Sequence, residues 1–313
     1  MTSFPVLNTR SKMNLLAEKL MGSAEDQVDK ILKGEAIQNE VLMMQEAKRD
    51  CYKTWYLPAG RMEENETIVE GMRREVKEET GLECDPVTLL LVEESGPSWI
   101  RFTFLAEVTG GSIKTTAEAD SESLQAQWWD RVSPLPLRAK DILPLIEAGV
   151  KYKESPWFPH TLPVELPCPV ICQRVMVAYA ESNNDLWLML AAGEREHLPV
   201  TASGTPPSER SHTVEEAVYR LVKECMQLSQ VKIKTLGILG LQHHGKNPGN
   251  TDGICFNTLL SIEHNSTSDA GDGLPPVLNN DKFRWWKVDN DSLKDKILQR
   301  LASLSVVPIH ALF

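Results

Sequence analysis

The chain lacks the features that would assign it quickly to several large classes. No apolar run approaches the ~18 residues of a membrane-spanning helix. No apolar h-region follows the N-terminus, which argues against a secretory signal. Basic excess is also missing. The formal net charge is -11 over 313 residues, where a nucleic-acid-backbone binder normally shows a basic face. There is no GxxxxGK[ST] phosphate loop, which argues against a Walker-type kinase or NTPase. The six cysteines, Cys51, Cys84, Cys168, Cys172, Cys225 and Cys255, form no CxxC pair. They therefore read as reduced thiols of a cytoplasmic protein rather than as a zinc site or a disulfide framework. Glu18, Glu25, Asp26 and Asp29 within residues 11–33 disfavour a mitochondrial transit peptide, and that stretch reads as a polar amphipathic helix.

What is present suffices for more than one core. The hydrophobic fraction is 42%, and the length is that of about two ordinary domains. Residues 1–38 read as a divergent helical segment. A short β run, Val41 to Met44, opens the next stretch, and TWYLPAG (54–60) is a strand edge turning into a loop. Ile68, Val69, Met72 and Val76 recur at helical spacing and predict a helix over 66–80, stopped by Gly81. VTLLLVEES, WIRFTFLAEV and AQWWDRV are strand-like. DILPLIEAGV (141–150) predicts a helix interrupted near Pro144. A proline-rich stretch over 153–169 reads as a linker.

The second half repeats this order. TVEEAVYRLVKECMQL (213–228) overlays TIVEGMRREVKEETGL (67–82) without gaps, and Thr, Glu, Arg, Val, Lys, Glu and Leu coincide. HLPV echoes YLPA, and RWWKV echoes QWWDR. Several elements in the same order point to an internal duplication. The expected organisation is a domain over 39–152 and a second over 170–313, each α/β (α+β) with a mixed β-sheet held between helices.

One segment carries chemistry. Residues 60–82, GRMEENETIVEGMRREVKEETGL, fill the pattern GX5EX7REUXEEXGU, where U is bulky and aliphatic. Gly60, Glu66, Arg74, Glu75, Glu78, Glu79 and Gly81 occupy the strict positions. At a residue frequency of roughly one in fifteen, such a match arises by chance about once in 10⁸ starts. The segment resembles the Nudix box, a loop–helix–loop motif of diphosphate hydrolases.

The residue chemistry agrees with that resemblance. Glu75, Glu78 and Glu79, spaced i, i+3, i+4, share one side of a helix. Three clustered carboxylates repel one another unless a positive charge sits among them. Hard oxygen donors suit Mg²⁺ or Mn²⁺, and such a cation neutralises a diphosphate and lowers the pKa of an attacking water. Arg74 is placed to pair with a neighbouring carboxylate, and Glu66 can help from the first turn. The resemblance adds the Ala59 carbonyl as a ligand beside Glu75, Glu78 and Glu79. It also nominates Glu122, six residues before Trp128, as a further ligand or general base, with Glu118 as competitor. Leu42, Gly60 and Arg61 are the nominated substrate contacts, with core packing the stronger alternative for Leu42 and an exposed loop arginine the alternative for Arg61. Trp128 and Trp129 can stack on a base, although an alternating strand directs one of them to the core.

Beyond the box, EVLMMQEAKRD, WYLPAGRME, GPSWIRF, EADSESLQA and LSVVPIH extend the resemblance from about Asn39 to the C-terminus. They resemble the branch of the family that converts oxidised purine nucleoside diphosphates to monophosphates and so sanitises the nucleotide pool. The partner it implies is a small nucleotide, with no nucleic-acid polymer and no membrane; it names no protein partner for the second domain. Two departures stand out. The strand expected before EVLMMQE falls on DQVDKILKGEAIQ, which is polar and helical in pattern. In the second repeat Leu221, Cys225 and Gln227 replace Glu75, Glu79 and Gly81, which implies a degenerate domain without a metal site. Two rival readings remain open: cleavage of ADP-ribose or another sugar nucleotide, with Pro97 near a position where such enzymes often carry proline, and a non-catalytic binding module.

Overall fold

A computed structural model describes residues 2–3, 40–95, 99–180, 184–202, 213–246, 253–264 and 274–311. The predicted helix over 11–33, the strand position at DQVDKILKGEAIQ and Pro97 all lie outside the described residues. No described helix is long and apolar enough to cross a membrane. The chain divides into two compact units, residues 1–91 with 101–156, and residues 92–100 with 157–313.

In the first unit the strands are β1 (Thr2–Ser3), β2 (Val41–Glu46), β3 (Trp55–Tyr56), β4 (Ala59–Gly60), β5 (Leu82–Ser95), β6 (Trp99–Gly111) and β7 (Ser123–Trp129). The helices are α1 (Ile68–Thr80) and α2 (Ile142–Glu154). Strand β2 lies between β3 and β7 in an antiparallel sheet, β5 pairs with β6, and β1 pairs with β4. Flanked on both edges and covered on both faces, β2 is buried almost throughout. Its polar/apolar alternation is consequently absent.

The box helix forms for local reasons. Thr67 Oγ1 accepts from Glu70 N (3.2 Å), and Glu70 Oε2 accepts from Thr67 N (2.9 Å). This reciprocal capping box satisfies two of the orphan donors at the N-terminus. Gly81 ends the helix at φ 76°. A Cβ there would run into the Ser112 carbonyl, so glycine is required on both counts. All four terminal carbonyls find donors: Lys77 O from Gly81 N (2.9 Å), Glu78 O from Lys114 Nζ (2.9 Å), Glu79 O from Ser123 Oγ (2.8 Å) and Thr80 O from Lys114 N (2.7 Å).

Helix α2 is continuous from Ile142, contrary to the interruption expected at Pro144. Pro144 stands in the first turn, where the missing N–H has no intrahelical acceptor to lose.

The second unit holds β8 (Cys172–Ala180), β9 (Leu186–Ala191), β10 (Val200–Ala202), α3 (Val214–Cys225), β11 (Val231–Gln242), β12 (Cys255–His264), β13 (Phe283–Lys287), α4 (Asp291–Ser303) and β14 (Ile309–Ala311). Its sheet runs β11-β12-β8-β9-β13, with β10 also on β8. Strand β8 is parallel to β12 and antiparallel to β9, and so joins them into one mixed sheet. In the repeat register β9 answers to β2 and β12 to β6. Among the described residues of the first unit no strand joins β2 to β6.

The linker predicted over 153–169 is stitched to the second unit, with Val164 N donating to Leu241 O (2.9 Å) and His243 N to Val164 O (3.0 Å). The second unit also takes residues 92–100, the end of β5 and the start of β6, from the stretch 39–152 that the sequence groups as one domain. Parallel pairing of Ile309–Ala311 with Val92–Glu94 accounts for this. All six cysteines are free thiols, and the Cys168 and Cys172 sulfurs stand 3.6 Å apart.

Both Glu94 carboxylate oxygens accept from Val214 N at the start of α3, at 2.8 and 2.9 Å. Burial, followed by the charges of Glu215 and Glu216, pushes its pKa up to about 7 against the pull of the Val214 N–H. The unfolded value is about 4.3. Glu94 therefore contributes stability that is fully present below about pH 4.3 and lost as the pH rises through about 7. Denaturant unfolding across that window should show a slope that flattens in Glu94→Gln; an unchanged slope refutes the assignment.

Candidate active site

Helix α1 carries an apolar stripe, Ile68, Met72 and Val76, buried against the first unit. Glu75 and Glu79 fall on the edge of that stripe and are drawn in with it, at 8% and 2% exposure. Glu78, a step round the helix, stays exposed. The three acids expected on one side of the helix differ in burial, two inside and one at the rim.

Arg74 organises them. Its Nε and Nη2 grip Glu66 at 3.0 and 2.8 Å. Nη1 donates to Glu75 (2.9 Å) and to Glu78 (3.0 Å). Nη2 also donates to the Arg61 carbonyl (2.8 Å). All five guanidinium N–H donors are used, a task a lysine could not perform. Burial alone would raise the Glu66 pKa, but Arg74 and the Glu63 N–H outweigh it and hold Glu66 low. The same acidic partners push the Arg74 pKa upward.

Glu75 is pushed up by burial, opposed by Arg74, with Glu78 and Glu122 adding repulsion. Glu79 is pushed well up by burial. The Ala59 N–H, at 2.8 Å from Oε2, opposes this, while Glu75 and Glu46 add to it. Gly60 has a specific reason to be glycine: a Cβ there would overlap the Glu75 carboxylate. Gly71 likewise leaves room for the Glu66 carboxylate, 2.7 Å from where its Cβ would stand.

The other nominated residues divide. The charge of Glu122 bears on Glu75, while Glu118 is occupied in its own turn, accepting from Thr115 N (2.8 Å) and Oγ1 (2.9 Å). Ala59 and Gly60 lie against the acids. Arg61 meets Arg74 through its carbonyl, and its side chain is exposed. Leu42 is fully buried opposite Trp128. As described it packs in the core. Trp129 is the core member of its pair, its Nε1 donating to Ser133 O (2.9 Å). Lys114, Ser123 and Glu46 were not singled out from sequence. Each acts from a distant segment, and no local pattern marks them.

Comparison with known proteins agrees with this geometry. Residues 31–146 match the model of the NUDIX domain. A Danio rerio protein named 8-oxo-dGDP phosphatase NUDT18 is 54% identical over 280 residues, covering 87% of this chain and 84% of that one. The chain belongs to the Nudix hydrolase family. A Homo sapiens relative with the same name is 48% identical over 274 residues, covering 87% of this chain and 83% of its own. A Caenorhabditis elegans relative, named putative nudix hydrolase 1, is 44% identical over 127 residues, covering 39% of this chain and 34% of its own.

Nudix hydrolases generally need divalent metal ions, and the residues present fit one. Carboxylate and carbonyl oxygens are the donors that hard divalent cations take. Glu75 and Glu79 are buried acids that repel each other, and Gly60 keeps open the space in which the Glu75 carboxylate lies. Among the described residues no three acidic, thiol or imidazole groups converge as a ready cage. Glu75 and Glu78 are turned to Arg74, and Glu79 to the Ala59 N–H.

Proposed function

We propose that the first unit hydrolyses oxidised purine nucleoside diphosphates such as 8-oxo-dGDP to monophosphates and inorganic phosphate. The observation that carries this reading is the pair of buried acids, Glu75 and Glu79, against the Ala59–Gly60 backbone. The named activity of the relatives that this chain matches over 87% of its length supports the substrate class.

In this reading Glu75, Glu78, Glu79 and the Ala59 carbonyl hold Mg²⁺ or Mn²⁺. When bound, that cation supplies charge neutralisation of the diphosphate and a lowered pKa for the attacking water. Arg74 and Glu66 hold the rotamers of Glu75 and Glu78. Glu122, exposed and electrostatically close to Glu75, accepts the proton released when water attacks phosphorus. Gly60 and the Arg61 side chain face the phosphates. The second unit, with Leu221 and Cys225 at the positions of Glu75 and Glu79, is a degenerate Nudix-like domain that leaves the chemistry to the first.

The test is monophosphate release with Mg²⁺ from 8-oxo-dGDP, dGDP, 8-oxo-dGTP and ADP-ribose, beside Glu78→Gln. Preferential cleavage of 8-oxo-dGDP, lost in the variant, is expected. Cleavage of ADP-ribose alone would overturn the substrate class, and no turnover by folded protein would overturn the enzyme.

A further inference from the structure

A second guanidinium is tied to the acid helix through the sheet: its partner Glu46 lies opposite Ser123 in β7, and Ser123 Oγ donates to Glu79 O (2.8 Å). Arg138, in the segment between β7 and α2, is fixed through its backbone, its N–H donating to Trp55 O (2.9 Å). Its Nη1 donates to Glu46 Oε1 at 2.6 Å. Its guanidinium carbon lies 5.1 Å from the centroid of the Tyr56 ring. That ring is itself held: the Tyr56 hydroxyl donates to Asp141 Oδ2 (2.8 Å), and Arg101 Nη1 donates to both the hydroxyl (3.2 Å) and Asp141 (2.8 Å). Glu46, 2% exposed, is close enough to Glu79 for its charge to be felt there.

The pairing is half-made. Arginine and carboxylate commonly meet through two parallel bonds. Here one bond forms, and Glu46 Oε2 is buried with no partner among the described residues. Arg138 Nε and Nη2 donate to nothing among the described residues, and the side chain is 38% exposed. A cation fixed by an aromatic face and one prong, with two nitrogens to spare, is preorganised for a second anion. Every donor of Arg74 is already taken by the protein, so among the described arginines Arg138 joins Arg61 as one with donors to spare.

We propose that Arg138 binds the phosphate oxygens of the substrate, with Glu46 and Tyr56 as its positioning residues. This rests on the reading of the first unit as a diphosphate hydrolase, and it adds a group that holds the anion without joining the acids.

The experiment pairs steady-state kinetics on 8-oxo-dGDP with calorimetric titration of inorganic diphosphate, both with Mg²⁺. In Arg138→Gln, KM should rise by about tenfold to a hundredfold, the loss of a charge-assisted contact, with kcat held within about threefold. Diphosphate affinity should fall in step. Because that variant strands Glu46 in the interior, the double variant Glu46→Gln/Arg138→Gln, verified by thermal melting, must show the same KM rise. Unchanged KM and unchanged diphosphate binding in the double variant would overturn the proposal, as would a fall in kcat at constant KM. If the wild type binds diphosphate and the variant binds it less, without turnover of 8-oxo-dGDP by either, the anion site stands and the hydrolase reading falls. No diphosphate binding by the wild type overturns the site itself.

Discussion

Gly60→Ala should leave a folded protein with almost no turnover. The added methyl would occupy the place of the Glu75 carboxylate, and Glu75 is fixed at its root within α1. Only the end of the side chain can yield. It swings away, losing its bond to Arg74 Nη1 and its place beside Ala59 and Glu79. Such a rearrangement of a flexible side chain costs on the order of 1 kcal/mol of stability. Moving a group from its place in the chemistry costs far more: kcat/KM should fall on the order of 10²–10⁴. Melting curves and 8-oxo-dGDP kinetics on the same preparation decide it. An unfolded variant, or one with wild-type turnover, would show that Gly60 does not serve as a berth for Glu75.

Arg74→Ala should destabilise the first unit and change its response to metal. It leaves Glu66, Glu75 and Glu78 without their shared cation and the Arg61 carbonyl without its donor. Breaking a buried pair costs about 3–5 kcal/mol. Arg74 is 22% exposed and Glu78 49%, so solvent screening reduces this to about 2–3 kcal/mol. A unit of this size would lose roughly 5–10 °C in Tm. The sign of a further effect is distinctive. With the internal cation gone, added Mg²⁺ or Mn²⁺ should raise the Tm of the variant by more than that of the wild type, since binding to the native state stabilises it. Arg74→Lys should recover only part of the loss, because one ammonium cannot meet Glu66, Glu75, Glu78 and Arg61 together. Equal metal-induced shifts in wild type and variant would show that Arg74 does not stand in for the cation.

The helix and its ends were legible in sequence because their causes are local. Thr67 and Glu70 close the capping box three residues apart, and Gly81 supplies the left-handed stop. The spacing of Arg74, Glu75, Glu78 and Glu79 was legible for the same reason. Their burial was half legible: Glu75 and Glu79 lie one turn from Met72 and Val76 on the apolar stripe. The remaining partners come from far along the chain. Lys114 is 36 residues from Glu78, Ser123 is 44 from Glu79, and Arg138 is 92 from Glu46. Nothing in a helical or strand period encodes such meetings. Leu42 sits in a strand that is buried at nearly every position, where the local pattern does not separate core packing from a pocket wall.

Helix α3 leaves no room for an acidic face like that of α1. Leu221 and Cys225 are 4% and 0% exposed, packed with Val175, Val177, Val222, Leu260 and Ile262. Two acids restored at these positions would enter an oily interior, each at an effective cost of several kcal/mol. Against a native margin of about 5–15 kcal/mol, the pair would bring the unit close to unfolding before any metal could reward the change. Packing thus bars the way to an acidic helix in this unit: its core is built on the two positions where α1 carries acids.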